Sequence, residues 1–423
     1  MSRPRGVVVV TGSELVRGER TDRNGPFLAA ELLRLGVEPA RIDIVGDDAD
    51  ELETALREGL EAELCLISGG LGPTHDDRTV ELLAKAAGRE LFVDAELESQ
   101  IEAVSRGFAE RMKRPYDDFV AGVRKQATLP EGAVVIGVAG TAPGLVLDCG
   151  RSVAVVLPGP PPELRRLWPN AVAAAPVQAV LARARVPARS VLRFYGVSES
   201  TVARALDEAG GESDGLRATI CARDYEIHVD LLAEENGRER ADALTAELRG
   251  RLGENLFAED ERPVEELVLD ACRERGFSLA AAESCTGGLV AARLTSVAGA
   301  SDVFRGGIVA YANEVKSSEL GVPEGLLARY GAVSAEVAAA MTDGIRKELG
   351  ADVAVSVTGV AGPGGGSQEK PVGLVYLHVE GPEGGRGVEL NLPGGRDAVR
   401  GRATVAALHS LLRLLTQNRH EDV

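Results

Sequence analysis

The stretch Phe277–Val297, FSLAAAESCTGGLVAARLTSV, decides how the chain is read. The apolar residues before Ser284 suit a buried strand. After the break Ser284-Cys285-Thr286-Gly287-Gly288, residues Val290, Leu294 and Val297 fall at i, i+4 and i+7, one face of a helix. A strand feeding a helix through a tight turn is the building unit of an α/β domain. The turn also puts a hydroxyl near a helix N-terminus, where free N–H groups can hold an anion or a developing oxyanion and the two glycines admit a close neighbour. From this stretch alone two readings of Ser284 stand: a nucleophile, or an N-cap.

Working outward, 423 residues exceed one ordinary core and suggest two or three domains. The apolar fraction is 44% with 4% aromatic, so the core is built from Ala, Val and Leu, which suits α/β packing. A net charge of −18, spread through the chain, argues against a broad nucleic-acid footprint and leaves room for local phosphate pockets. Cys65, Cys149, Cys221, Cys272 and Cys285 are odd in number and lack C-x-x-C spacing, so neither a disulfide framework nor a zinc cluster is indicated and a reducing cytoplasm is expected. MSRPRGVVVVTG is too short in its apolar run for a signal peptide, and no later segment reads as membrane-spanning.

At the N-terminal end Val7–Val10, Arg41–Val45 and Leu64–Ile67 read as strands. Between them lie helices carrying Leu28, Leu32 and Leu35, stopped by Gly36, and Leu52, Ala55 and Leu56. This β-α-β-α-β order predicts a parallel sheet whose ligands bind beyond the carboxyl ends of the strands. Three polar clusters fall there and should converge: Gly12-Ser13-Glu14, Asp47-Asp48 and SGGLGPTHDDRT, Ser68–Thr79. The glycines of the third can turn N–H groups to a phosphate, and Asp47 and Asp77 could share a hard divalent cation. Helix capping by Asp77 or Thr79, and solvated loop charge, are the plainer alternatives.

Beyond Trp168 the pattern is that of a small α+β unit without obvious chemistry, in which Ser198 reads as an N-cap and His228 as a structural histidine. AEDERPVEE, Ala258–Glu266, marks the boundary to the last domain. That domain is expected to run through strands at Phe304–Tyr311, Ala351–Val357 and Leu374–Val379, a helix after Gly331–Ser334, and a closing helix from Arg396 with Val399, Ala403, Ala406 and Leu411 inward. His378, in a strand, and His409, on the last helix, are poorly placed for a Ser–His–Asp triad. A Ser–Lys pair is the economical alternative, with Lys316 or Lys370 as base and Tyr311 relaying a proton. Cys285, at the same turn, reads as a buried neighbour of the serine or as a thiol of lowered pKa.

Gly12–Asn24, Ser68–Thr79, GTAPG (Gly140–Gly144) and PGPPPEL (Pro158–Leu164) resemble, in order, motifs of the CinA competence/damage-inducible family. AESCTGG (Ala282–Gly288), FRGGIVAYANEVK (Phe304–Lys316), GAVS (Gly331–Ser334), Val357–Gly373 and GGRDAVR (Gly394–Arg400) are similar to its C-terminal domain. The resemblance implies an N-terminal three-layer parallel-sheet MoaB/MogA-like domain over 1–170, a small α+β domain over 171–260 and a PncC-type α/β amidohydrolase domain over 261–418. It implies hydrolysis of nicotinamide mononucleotide (NMN) to nicotinic acid mononucleotide and ammonia, with Ser284 as nucleophile, Tyr311 and Lys316 as partners, and no cofactor. Oxyanion or substrate contacts are then expected from Thr286, Gly287, Gly288, Asn313, Thr358, Gly359, Gly362, Arg396 and Arg400, the arginines as phosphate ligands or a solvated helix start. For the N-terminal domain it implies an ADP-ribose pyrophosphatase using Mg or Mn on Asp47 and Asp77, with the nucleotide on Gly12, Glu14, Asn24, Gly69, Gly70, Gly72 and Thr74. A non-catalytic nucleotide- or pterin-binding module is the alternative, because Ser13 stands where the family more usually has Asp. A homodimer is implied as well.

Overall fold

Every second side chain of the first strand faces the same way, and in β1 (Arg5–Thr11) both faces are buried. Val7 and Val9 pack with Leu52 and Leu56 of helix Ala49–Gly59, and Val8 and Val10 with Leu28 and Leu32 of helix Asn24–Arg34. A strand apolar on both faces needs a helical layer on each side, which makes three layers. The computed structural model describes residues 3–416 and divides into two units, Met1–Pro187 and Ala188–Val423.

The first unit adds β2 (Glu38–Val45), β3 (Leu64–Ser68), the short antiparallel pair β4 (Leu91–Val93) and β5 (Thr128–Pro130), then β6 (Ala133–Ala139), β7 (Ala142–Asp148) and β8 (Val153–Leu157). The main sheet has the order β2-β1-β3-β8-β7-β6. Its first four strands are parallel, as expected, whereas β7 and β6 form an antiparallel hairpin. The GTAPG segment supplies the turn of that hairpin, Gly140-Thr141, and the first residues of β7, with Gly140 at φ +63. The sequence boundary at 170 falls inside helix Pro161–Ala173, and Val177 and Val180 of the next helix, Ala175–Leu181, are buried in the same core. The first unit therefore runs on to Pro187.

In the second unit β9 (Ala188–Phe194), β10 (Leu216–Arg223), β11 (Glu226–Ala233) and β12 (Leu256–Ala258) form an antiparallel sheet, order β10-β11-β9-β12. It has its own core with helices Glu199–Glu208 and Arg238–Leu252, and Ser198 caps the first of these by accepting from Thr201 N–H. The last five strands are β13 (Leu279–Glu283), β14 (Phe304–Val309), β15 (Val353–Gly359), β16 (Leu374–Gly381) and β17 (Gly384–Asn391), in the order β14-β13-β15-β16-β17. The first three are parallel and the last two antiparallel. Helices Val264–Arg275 and Arg396–Thr416 cover one face and Ala335–Leu349 the other, with Val399, Ala403, Ala406 and Leu411 inward as expected. The expected domain end at 418 lies outside the described residues. Edge strand β17, GGRGVELN, was not anticipated, because its glycines and mostly exposed polar residues hide the alternation.

Candidate active site

The carboxyl ends of β13, β14 and β15 carry the Ser284–Gly288 turn, the Ala310–Asn313 loop and the glycine-rich loop. Ser284 follows β13 directly and its N–H donates to Val357 O of β15 at 2.9 Å, which fixes the turn to the sheet. Helix Leu289–Ser296 begins later than the sequence suggests: Gly288 is its N-cap and its first amides go to the Glu283 carboxylate, so the N-cap reading of Ser284 does not hold.

Lys316, on helix Asn313–Leu320, is 1% exposed, and its Nζ lies 3.2 Å from Ser284 Oγ. The same nitrogen donates to Ala310 O at 2.8 Å and Tyr311 O at 3.2 Å. Two carbonyls account for both N–H bonds of a neutral amine and leave its lone pair for the serine hydroxyl. Burial pushes the Lys316 ammonium below the ordinary lysine value, which favours that neutral form. Lys370 is no rival: its Nζ donates to Tyr330 O at 2.5 Å and Val333 O at 2.7 Å, tying down the Gly331–Ser334 loop. Cys285 is buried in the core, and burial raises its thiol to about 12, so it is the inert neighbour.

Tyr311 enters the site through its carbonyl. Its phenol is 59% exposed and accepts from Arg396 Nη2 at 2.8 Å, and among the described residues it makes no hydrogen bond to Ser284 or Lys316. Arg396 Nη1 donates to Gly362 O at 2.7 Å, and Arg400 Nη2 to Thr286 O at 2.9 Å. The start of the closing helix therefore binds all three loops while Arg396 and Asp397 stay exposed. Thr358 spends its hydroxyl on Ala332 O at 2.7 Å, Gly359 lies within β15 against Val375, and Asn313 is exposed on the first turn of its helix. The oxyanion expectation changes as well. Gly287 N–H donates to Ser284 O at 3.1 Å, and Gly288 N–H to the carboxylate of Glu283 at 2.9 Å, so neither amide is spare. Sequence reasoning passed over Glu283; its one signal was an acid closing the otherwise apolar strand LAAAE.

In the first unit the three polar clusters do converge. Gly12, Glu14, Asn24, Asp47, Gly69, Gly70 and Asp77 line one cleft of about 650 Å³, together with Asp22, Asp76, Arg20 and Arg23. Gly72 lines a pocket of about 220 Å³ that shares Gly70 and Asp77 with it; Thr74 lines neither. Asn24 is a staple: its Nδ2 donates to Ser68 Oγ at 2.9 Å and Gly159 O at 2.7 Å. Asp47 accepts from Ser13 Oγ at 2.5 Å and Ser13 N–H at 3.1 Å, and Asp77 from Thr74 Oγ1 at 2.5 Å and Thr74 N–H at 3.0 Å. Among the described residues no three His, Cys, Asp or Glu side chains gather as a metal site. Asp48, beside Asp47, is the cap of helix Ala49–Gly59.

The chain is 43% identical over 432 residues to the CinA-like protein of Mycolicibacterium paratuberculosis, covering 97% of this chain and 98% of that one. It belongs to the CinA family. A second CinA-like protein, from Mycobacterium tuberculosis, is 42% identical over 97% of both chains. Family models match in the same order as the folds: a probable molybdopterin binding domain at 7–176, the damage-inducible protein CinA KH domain at 189–258 and the CinA C-terminal domain at 261–415. Among solved structures, the competence/damage inducible protein CihA from Agrobacterium tumefaciens is 40% identical, covering 37% of this chain and 99% of that one, with a TM-score of 0.35. Among the described residues of this CinA chain, no helix is long and apolar enough to cross a membrane.

Proposed function

We propose that the C-terminal domain hydrolyses the carboxamide of nicotinamide mononucleotide, releasing ammonia and nicotinic acid mononucleotide through a Ser284–Lys316 pair. The observation that supports this most is the buried contact between Lys316 Nζ and Ser284 Oγ, with both spare N–H bonds of the amine held by carbonyls. Neutral Lys316 takes the Ser284 proton as Oγ attacks the carboxamide carbon, and returns it to the departing nitrogen. Ammonia leaves an acyl enzyme, and water, deprotonated by the same amine, frees the acid and restores Ser284. Ammonia release by wild type, Ser284→Ala and Cys285→Ala tests the reading: it requires that only the serine variant be inactive, and full activity of that variant ends it.

For the N-terminal cleft the reading is a nucleotide-binding module, supported by positive-φ Gly69 and Gly70 beside Asp47 and Asp77 on one cleft. Metal-dependent cleavage of ADP-ribose is the second reading, favoured by both aspartates reaching that cleft. Thermal shift with ADP-ribose, with and without manganese, beside a turnover assay separates them: stabilisation without turnover supports the module, and manganese-dependent release of AMP supports the pyrophosphatase.

A further inference from the structure

Glu283, the residue before the nucleophile, ends β13 only 1% exposed. Among the described residues no cation pairs with it. Its Oε2 accepts from Gly288 N–H at 2.9 Å and Val290 N–H at 3.1 Å, and its Oε1 from Ala291 N–H at 2.8 Å. These are amides that the first turn of a helix leaves without intrahelical partners, and the helix dipole favours a negative charge there. A buried carboxylate is costly unless it is hydrogen-bonded in this way. One residue therefore holds both ends of the catalytic turn: Glu283 precedes Ser284 in the chain and grips the helix that begins after Gly288. Ser284 N–H on Val357 O, Gly287 N–H on Ser284 O and Arg400 on Thr286 O brace the turn itself, whereas Glu283 ties the turn to the helix that follows.

We infer that Glu283 is the positioning residue of the nucleophile: its carboxylate closes the Ser284–Gly288 turn onto the helix N-terminus and so holds Ser284 Oγ against Lys316 Nζ. The inference rests on the nucleophile reading above. It acts through geometry, because the groups that touch Lys316 Nζ are Ser284 and the two carbonyls and do not include Glu283.

A fluorophosphonate probe tests it on the full-length protein without needing NMN to be the substrate. Ser284 Oγ forms the P–O bond, fluoride leaves, the serine proton passes to Lys316, and intact mass reports the rate. Labelling of wild type but not of Ser284→Ala upholds the nucleophile; equal labelling of both overturns that reading, whatever Glu283 does. With the nucleophile upheld, Glu283→Gln is expected to label roughly tenfold to a hundredfold more slowly, the scale of a displacement of about 1 Å. The pH midpoint of labelling should stay unchanged, hydrogen exchange should quicken over 284–296 alone, and NMN turnover should fall in kcat with KM held. If Glu283→Gln does not fold, Glu283→Asp, which withdraws the charge by one methylene, makes the same comparison. A folded variant that labels at the wild-type rate overturns the inference, and so does one whose pH midpoint moves, since that would make Glu283 a charge tuner.

Discussion

At the residue scale the proposed reaction turns on Lys316, which is buried and has no salt-bridged carboxylate among the described residues. Its neutral form is the working one, and burial lowers its pKa, so activity should rise with pH through a midpoint below the ordinary lysine value. A pH profile of kcat/KM checks this; a rising limb at or above that value would contradict it. Lys316→Met keeps the length of the side chain and removes the base, so it should lower ammonia release by roughly three orders of magnitude or more while the fold is kept. Ser284 was legible in the sequence because a hydroxyl between an apolar strand and a helix is a local pattern. The choice of Lys316 over Lys370 was not, because the two differ only in which loop their long side chains reach.

At the scale of elements, several residues expected to meet ligand also hold loops together. Asn24 shows this: 6% exposed, it joins the start of its helix to the ends of β3 and β8. Asn24→Ala leaves Ser68 and the Gly159 carbonyl short of a donor, at a cost of about 1–3 kcal/mol. Denaturant melts should show that loss in the absence of any ligand; unchanged stability would return Asn24 to ligand contact. The alternation of strands and helices was readable from apolar spacing, since a buried strand and a one-faced helix impose different periods. The β6–β7 hairpin was not, because short apolar strands look alike whichever way they run, and only the pairing partner sets direction.

For the whole molecule, the seam inside the second unit holds a buried polar cluster among aromatic contacts. Glu226 at the start of β11 bonds His409 of the closing helix at 2.7 Å and His228 at 3.3 Å, and His409 stacks on Tyr195 with ring centroids 3.8 Å apart. His228 is thus the satisfied structural histidine expected from sequence. Burial works to raise the Glu226 carboxyl, but the hydrogen bonds to His228 and His409 outweigh it and hold the group at about 2. A carboxyl depressed in the folded state stabilises above its unfolded value, and that contribution is lost as pH falls from about 4.5 towards 2. Thermal melts of wild type and Glu226→Gln should therefore differ at pH 7 and converge as pH falls through that window. A gap independent of pH would remove the carboxylate from the explanation.

By itself the sequence determined the α/β layout of both ends, the place of Ser284 at a strand-to-helix turn and the three polar clusters of the first unit, because each follows from side-chain period and turn chemistry within a few residues. Only the tertiary structure decided which groups meet. Lys316 reaches Ser284 across 32 residues of chain and His409 reaches Glu226 across 183. Glu283 shows why proximity in sequence is no remedy: its amide partners lie within eight residues, yet nothing in LAAAE says that an acid at the end of an apolar strand will turn inward to fill a helix N-terminus. That outcome depends on the fold burying the turn, which makes three amide bonds the cheapest solvent available to the carboxylate.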